Sequence, residues 1–509
     1  MKEYDCIIIG AGVGGLSTAS FLSKVGKNVL VIEKEPHIGG YATSFTHKKC
    51  LFNIGIPYLG ELGPDGTITQ FLNYFGEEIE TKPMEDVSMT FIGNDQFLVH
   101  GNNIQEDLIS YFPKSKNEII HFFKITEKIF NEMILGGLPK PPYEMNLLEK
   151  ISFGINSMTT RPTFMKYAVK DNIKVLQKLI HDERLALMLF GKYPFRFVFI
   201  GDVYPWEISR RGLWRTPIHG MKSIAGAMVD CIKRNNGEVL LNTEAKKINI
   251  TNGYAKSVQC SKAQEFFGDV IISNAPLPHT IDVLLRDEKY FHQLRKEIHN
   301  REIFTSIMLL FLGIRRSYDF KGVNHITILD RDTFKLNKFK YTPQNCPISI
   351  SVLERPTGQK DISCTIAAVL PAEYKDFWCT GPNHERGTEY KRLKEEVVNI
   401  ILDRICEKLS DSFRDSILFV IPATPITFER YTNSKNGSFM GWDLNEQQYG
   451  KFIPQSSPIP NLFFVGQWVF PGFEIAGTMA SGFYLVRHML SKEGFDLEKD
   501  FQDKVSTRG

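Results

Sequence analysis

DCIIIGAGVGGLSTASFLSKVGKNVLVIEKEPHIGGYATSF, residues 5–45, reads as a phosphate-cradling turn between two strands. Asp5 to Ile9 is a short apolar run of strand length. Gly10, Gly12 and Gly15 follow at the G-x-G-x-x-G spacing, where strand gives way to helix. The three glycines serve a tight turn, a close approach of backbone to a pyrophosphate, and close helix–strand packing. The helix beyond them aims its free N–H groups and the positive end of its dipole at phosphate. Leu16, Ala19, Leu22 and Val25 keep one of its faces apolar. Gly26 ends it, and Asn28 to Ile32 forms a second strand. Glu33 lies 18 residues after Gly15, near the ~20 at which an acidic side chain takes ribose hydroxyls. Glycines at this spacing often mark ordinary turns. Strand, glycines, helix, strand and acid together within one βαβ length predict dinucleotide binding.

The double glycine Gly39-Gly40, after a Pro-containing turn, lets backbone approach a second part of the ligand. NAD folds have no general need of it. The pattern resembles the extended fingerprint of the glutathione-reductase-like FAD enzymes, which implies FAD.

Composition bounds the rest. A chain of 509 residues, 42% hydrophobic and 23% charged, is an ordinary globular chain long enough for at least two domains. A net charge of +3 gives no argument for nucleic acid. The eight cysteines form no C-x-x-C pair, which argues against a disulfide framework or a zinc site and suits a reducing compartment. No metal is expected. Met1 leads almost directly into the first strand, leaving no room for a signal peptide, and no apolar run is long enough to span a bilayer. The expected location is cytoplasmic, or peripheral at the inner membrane face. The 38 phenylalanines fit an ordinary core or an aromatic-lined lipid tunnel.

Two further segments converge on the same cofactor. NLFFVGQ (461–467) is an apolar strand ending at Gly466, and EIAGTMASGFYLVRHML (474–490) is a helix rich in small residues. Together they read as the second half of a flavin cradle, with the helix start aimed at the flavin's pyrimidine edge. A C-terminal helix simply docked on the sheet is the alternative. In the middle, Met221, Ile224, Met228 and Ile232 outline a helix ended by Asn236-Gly237. Glu238–Leu241 and Asp269–Ser273 are strands. The expected fold is α/β: a discontinuous, Rossmann-type FAD-binding domain from 1–80, 215–300 and 455–492. A second, α+β substrate domain with a sheet and a helical cap comes from 81–214 and 301–454. Its strands are expected at Ser306–Gly313, Ile348–Leu353 and Cys364–Leu370. Residues 493–509 read as a charged, loosely held tail.

In that order, GAGVGGL, EKEPHIGGYATSF, FNIGIPYLGE, DVIISNAP, TFERYTNSKNGSFMGW and LFFVGQWVFPGFEIAG resemble the phytoene-desaturase-like flavoproteins, in the branch of carotenoid cis–trans isomerases and retinol saturases. The resemblance implies non-covalent FAD and an apolar polyene or lipid substrate taken from a membrane surface. By family position Gly10, Gly12, Gly15 and Glu33 hold the ADP half, with Gly14, Lys34 and Asn274 also among the cofactor-binding residues. Gly39, Gly40, Gly55 and Ile56 lie along the ribityl chain and ring, Glu244-Ala245 beside adenine, Gly466-Gln467 at the phosphates and Ile475-Ala476 at the pyrimidine edge.

The sequence departs from the pattern near the ring. Gln467 stands where many relatives have Asp, Phe473-Glu474 where carotenoid isomerases tend to have Gln-Gly, and His219 where a glycine is usual. These changes leave a retinoid-like, fatty-acyl or other unsaturated substrate open. Glu474 and His219 are therefore candidate acid–base residues, and Tyr58 a candidate for orienting a polar substrate group. Each also has a plain structural reading, as a helix-start carboxylate or a satisfied core side chain. No second glycine-rich unit follows a strand, so an external electron donor or acceptor is expected. The reaction read from this is desaturation, saturation or isomerisation of C–C bonds. The alternatives are an amine-oxidase-type flavoenzyme and a prenyl-protein chaperone of the same fold. Lys192-Tyr193-Pro194-Phe195-Arg196-Phe197 is the candidate stretch for peripheral membrane contact.

Overall fold

Val29–Ile32 is buried at every position, and Ile7, Ile8 and Ile9 beside it are at most 4% exposed. Strands sealed on both faces read as unbroken aliphatic runs, and pair in parallel beneath covering helices. The computed structural model describes residues 3–55, 57–134, 141–335, 341–353, 361–381 and 384–506.

The first sheet runs in the order Ala245–Thr251, Tyr254–Cys260, Glu265–Ser273, Glu3–Ile9, Val29–Ile32, Glu238–Leu240, with Leu462–Phe464 also paired to Glu265–Ser273. Glu3–Ile9 is parallel to both its neighbours, and Leu462–Phe464 joins in parallel at Ile271–Ser273. Segments hundreds of residues apart thus end side by side, at the edge where the glycine turn leaves Ile9. Helix Val13–Lys24 packs on helix Lys222–Arg234 and on helix Ile475–Ser491. The small residues of the C-terminal helix permit this. A Cβ on Gly482 would stand 2.7 Å from the Thr18 nitrogen, and Ser17 Oγ donates to the Met479 carbonyl at 2.8 Å.

The second sheet runs Ile417–Ala423, Met308–Arg315, Asp361–Ala368, Ile348–Leu353, His325–Leu329, Val87–Ile92, Asp95–His100. Two expected strands are displaced along the chain, to Met308–Arg315 and Asp361–Ala368, while Ile348–Leu353 keeps its bounds. The stretch 81–214 also contributes the hairpin Val87–Ile92/Asp95–His100 to this sheet, where strands were expected only from 301–454. Helices between Ile104 and Arg210 form the cap.

Two expectations fail here. The tail is not loose: Leu497–Ser506 is a helix whose Leu497 and Phe501 are buried. Phe501 packs on Phe71, Tyr74 and Phe483, and Tyr74 donates to Asp500 at 2.7 Å. The stretch Lys192–Phe197 is largely internal. Lys192 ion-pairs with Asp86 and donates to Ser88 Oγ at 3.0 Å, with both charged side chains under a tenth exposed. Pro194 and Phe197 are buried, and Arg196 is held by Asp171 at 2.7 Å. A buried cation needs a buried partner, and Asp86 supplies one from a distant part of the chain.

Candidate functional site

Gly10 takes φ +97° and donates its N–H to the Ile32 carbonyl at 2.8 Å, so the chain leaves the sheet in a turn that favours glycine. Gly39 (φ +100°) brings the double glycine back across this turn, donating to the Ala11 carbonyl at 2.8 Å. Asn274 comes in from the neighbouring strand end, its N–H on the Ile9 carbonyl at 2.8 Å. There is no room for side chains at this junction. A Cβ on Gly14 would lie 2.6 Å from Asn274 Oδ1 and 2.9 Å from Gly466 Cα, and one on Gly15 2.2 Å from the Gly10 carbonyl oxygen.

The residues fit a dinucleotide on three counts. Helix Val13–Lys24 starts at Gly12 with no side-chain cap and no acidic residue in its first turn. Its N–H groups are left for an anion. Helix Ile475–Ser491 starts at Glu474 in the same condition. Glu33 accepts from Ala11 N–H at 2.8 Å with one oxygen and from Glu35 N–H at 2.9 Å with the other. Each oxygen keeps acceptor capacity for a hydroxyl. Burial pushes the Glu33 carboxyl up from its usual range, against the two N–H donors that pull it down. Thr243 N–H donates to the Glu33 carbonyl, which sets Glu244 and the buried Ala245 beside the same corner. Glu33→Ala is expected to weaken flavin binding by about 1–3 kcal/mol, read by fluorescence titration of the apoprotein. Unchanged affinity would remove Glu33 from the ligand.

Lys34 does not point a free ammonium at this corner. Its Nζ donates to the Arg430 carbonyl at 2.8 Å and to Asn433 Oδ1 at 3.0 Å, tying the cofactor half to the second domain. Gly55 lies against the Tyr41 carbonyl, and Gln467 is half-buried next to Gly466. Ile56 lies outside the described residues.

Around Glu474 the structure assembles more than the sequence suggested. Glu474 has φ +63° and ψ 170°, a region that costs a non-glycine residue about 1–3 kcal/mol and tends to mark functional sites. Glu474 keeps accessible surface in this chain, while the protein packed around its carboxyl desolvates it. Burial, then the neighbouring Glu61 carboxylate, pushes the Glu474 carboxyl up to about 8. Burial likewise raises Glu61. Tyr204 comes from helix Ile200–Arg210 with a buried hydroxyl that has no hydrogen bond of good geometry, beside Glu61. Gly60 makes this approach possible, because a Cβ there would lie 2.6 Å from the Tyr204 oxygen. Tyr449 packs its ring 6.4 Å from that of Phe473, and Tyr193 lies within the field of both carboxyls.

The other two candidates stand elsewhere. His219 is 71% exposed and faces the Glu80 carboxylate at 3.6 Å, so it is a surface residue and not a partner of Glu474. Tyr58 is buried with its hydroxyl on His325 Nδ1 at 3.0 Å, and is not open to a substrate group. Burial, then Lys192, holds His325 down to about 4, so it stays neutral.

With this geometry in hand, the chain can be set beside known proteins. The family described as a NAD(P)-binding Rossmann-like domain matches residues 8–75. An all-trans-retinol 13,14-reductase of Danio rerio is 24% identical over 99% of this chain and 89% of its own length. A chloroplastic prolycopene isomerase 2 of an Oncidium hybrid cultivar is 24% identical over 100% of this chain and 87% of its own. This chain is a homologue of both. A solved putrescine oxidase shares the fold, with a TM-score of 0.63 at 12% identity, covering 96% of this chain and 99% of that one. The reductase and isomerase relatives are enzymes, and their similarity runs through the cap and second sheet as well as the glycine turn.

Glu61, Tyr204, Tyr193 and Tyr449 were missed by the sequence reading. One signal was available: Glu61 is a lone carboxylate in the otherwise apolar stretch IGIPYLGEL (54–62). The tyrosines had none, since only folding brings their separate segments near the two carboxyls.

Proposed function

We propose that this protein is an FAD-dependent oxidoreductase or isomerase acting on the C–C double bonds of an apolar polyene, with FAD held without a covalent bond. The observation that carries the reading is the full-length similarity to one relative named for reducing retinol and another named for isomerising prolycopene. The aromatic surroundings of Glu474 fit an apolar chain. The last cysteine of the chain is Cys406, well before the C-terminal motif, which supports non-covalent attachment.

When bound, the flavin supplies hydride or single-electron transfer. The protein's part is placement and proton handling. The two uncapped helix starts receive the phosphates and the pyrimidine edge, and Glu33 the ribose hydroxyls. Glu474, its carboxyl pushed up to about 8, holds a proton that a polyene carbon bound beside it can take. Burial keeps the hydroxyls of Tyr193, Tyr204 and Tyr449 protonated, and their rings exclude water. Electrons enter or leave through an external partner.

Acid precipitation of the purified yellow protein is expected to release FAD into the supernatant, identified by chromatography against FMN. A yellow pellet overturns non-covalent binding. After anaerobic photoreduction, retinoids and carotenoids offered in turn are expected to reoxidise the flavin or to yield new isomers, whereas amines offered to the oxidised protein are expected to leave its flavin unreduced. Turnover of amines alone overturns the substrate class.

A further inference from the structure

An amphipathic helix of a folded domain turns its apolar face inward. Helix Leu147–Thr160 does the reverse. It buries Ser157 and turns outward Leu147 (73% exposed), Leu148 (78%), Ile151 (51%), Ile155 (61%) and Met158 (66%). At 100° per residue these five fall within one arc of about 100°, a continuous apolar stripe along the helix. Met165 and Val169 on the following segment are exposed as well. Soluble surfaces scatter such residues singly, and a contiguous run marks a contact.

The stripe is held firmly. Asn146 and Glu149 close a capping box at the helix start. Just before it, Glu144 pairs with His488 at 3.1 Å, and Tyr143 donates to Gln455 at 3.2 Å. Beyond its end, Phe164 N–H is held by the buried Glu132 at 2.6 Å. The helix therefore cannot roll its apolar face inward without breaking these bonds.

Charge decides what covers it. Lys150, Arg161, Lys166 and Lys170 flank the stripe, and none of them makes an ion pair among the described residues. The only acidic residues from 141 to 170 are Glu144 and Glu149, both engaged as described. A stripe of Leu, Ile and Met bordered by cations that have no carboxylate partner, two of which (Lys166 and Lys170) lie over the Tyr167 ring, matches an anionic bilayer, in which apolar side chains sink past the headgroups while lysines meet the phosphates. A second copy of the chain would bring the same cations together and be repelled. No helix among the described residues is long and apolar enough to cross a membrane, so the contact is with one leaflet.

We propose that the Leu147–Met158 face is an interfacial helix that beds this protein into an anionic membrane surface. Its position suits delivery of an apolar substrate. Tyr143 packs 5.9 Å from Phe470, four residues before Glu474. That delivery role rests on the polyene reading above, whereas the docking does not.

The test is flotation of the flavin-loaded protein with phosphatidylcholine vesicles, with and without phosphatidylglycerol. Wild-type protein is expected to float with the anionic vesicles at low salt, and much less with neutral ones or at high salt. L148E/I155E is expected to lower the bound fraction about tenfold or more, with melting temperature and flavin absorbance unchanged. K166Q/K170Q should lose the preference for anionic lipid while keeping the fold. Equal flotation of L148E/I155E and wild type overturns the proposal. So does wild-type protein that stays at the bottom, and so does a concentration-dependent dimer abolished by the same variant. Flavin absorbance and turnover on detergent-dispersed polyene are read in the same samples, so a failed substrate reading is told apart from failed docking.

Discussion

Glu474→Gln is expected to keep its flavin and to lose about 100-fold or more in turnover. Glutamine preserves the size and the strained backbone of the site but has no proton to give. Glu61→Gln has a different signature. Removing the Glu61 charge lowers the Glu474 pKa, so activity that needs protonated Glu474 falls off at lower pH than in the wild type. Stability depends on the same proton. The folded protein holds the Glu474 proton up to a raised pKa, whereas the unfolded chain releases it in the ordinary carboxylate range. Between those two values the folded state binds more protons, so its stability declines as pH rises. Glu474→Gln escapes that decline. It should melt above wild type at about pH 8 and converge with it near about pH 5. A variant more stable and far less active marks a group strained for chemistry. Full turnover with flavin bound shows that Glu474 donates no proton.

Gly15→Val is expected to abolish flavin binding outright and to cost about 1–3 kcal/mol in stability. Its Cβ would fall 2.2 Å from the Gly10 carbonyl, a backbone atom that cannot yield without opening the turn. Gly12→Val should also lose the flavin, because its Cβ meets Asn274 Nδ2 at 2.9 Å and its side chain crowds the glycine turn proposed to take the pyrophosphate. Gly226→Ala is the control. It lies inside helix Lys222–Arg234, nothing stands within 4 Å of its Cβ, and the change should leave the flavin in place while gaining about 0.4–1 kcal/mol. The readouts are flavin absorbance per protein and thermal melts. A yellow Gly15→Val protein would place the pyrophosphate elsewhere.

The cradle was legible because its parts are local or strongly patterned. Glycine spacing, a fully aliphatic strand and one acid at the right distance need no tertiary knowledge. The proposed acid–base surroundings were legible only in Glu474, which broke a pattern. Glu61, Tyr193, Tyr204 and Tyr449 meet through folding, and the clearest local sign of their meeting is the missing Cβ of Gly60. Lys192–Phe197 shows the limit of composition. Rings and cations suit a membrane interface and a buried ion pair equally, and Asp86, 106 residues away, decides for the second. The tail was misread because its charges outnumber its apolar residues. Leu497 and Phe501, one helical turn apart, carried the signal. The outward stripe on Leu147–Thr160 was invisible for the opposite reason: its pattern is that of any amphipathic helix, and only the fold tells which side faces out.

The contact between Ser17 and Met479 joins residues 462 positions apart, and this bears on how the protein is made. The N-terminal strand–turn–helix leaves the ribosome first but cannot close its sheet or cover its first helix until the last segment follows. At roughly 5–20 residues per second the wait is about 20–90 s. During it Leu16, Phe21 and Leu22, destined for the core, stand uncovered in the nascent chain. The second sheet, whose widest pairing joins Ser88 to His325, and the cap lie wholly before the C-terminal helix and can assemble in that interval. Folding therefore runs from the middle outward, with the nucleotide-binding half completed last. A ribosome stalled short of the C-terminal helix would hold a chain with a folded cap and an aggregation-prone, flavin-free N-terminus.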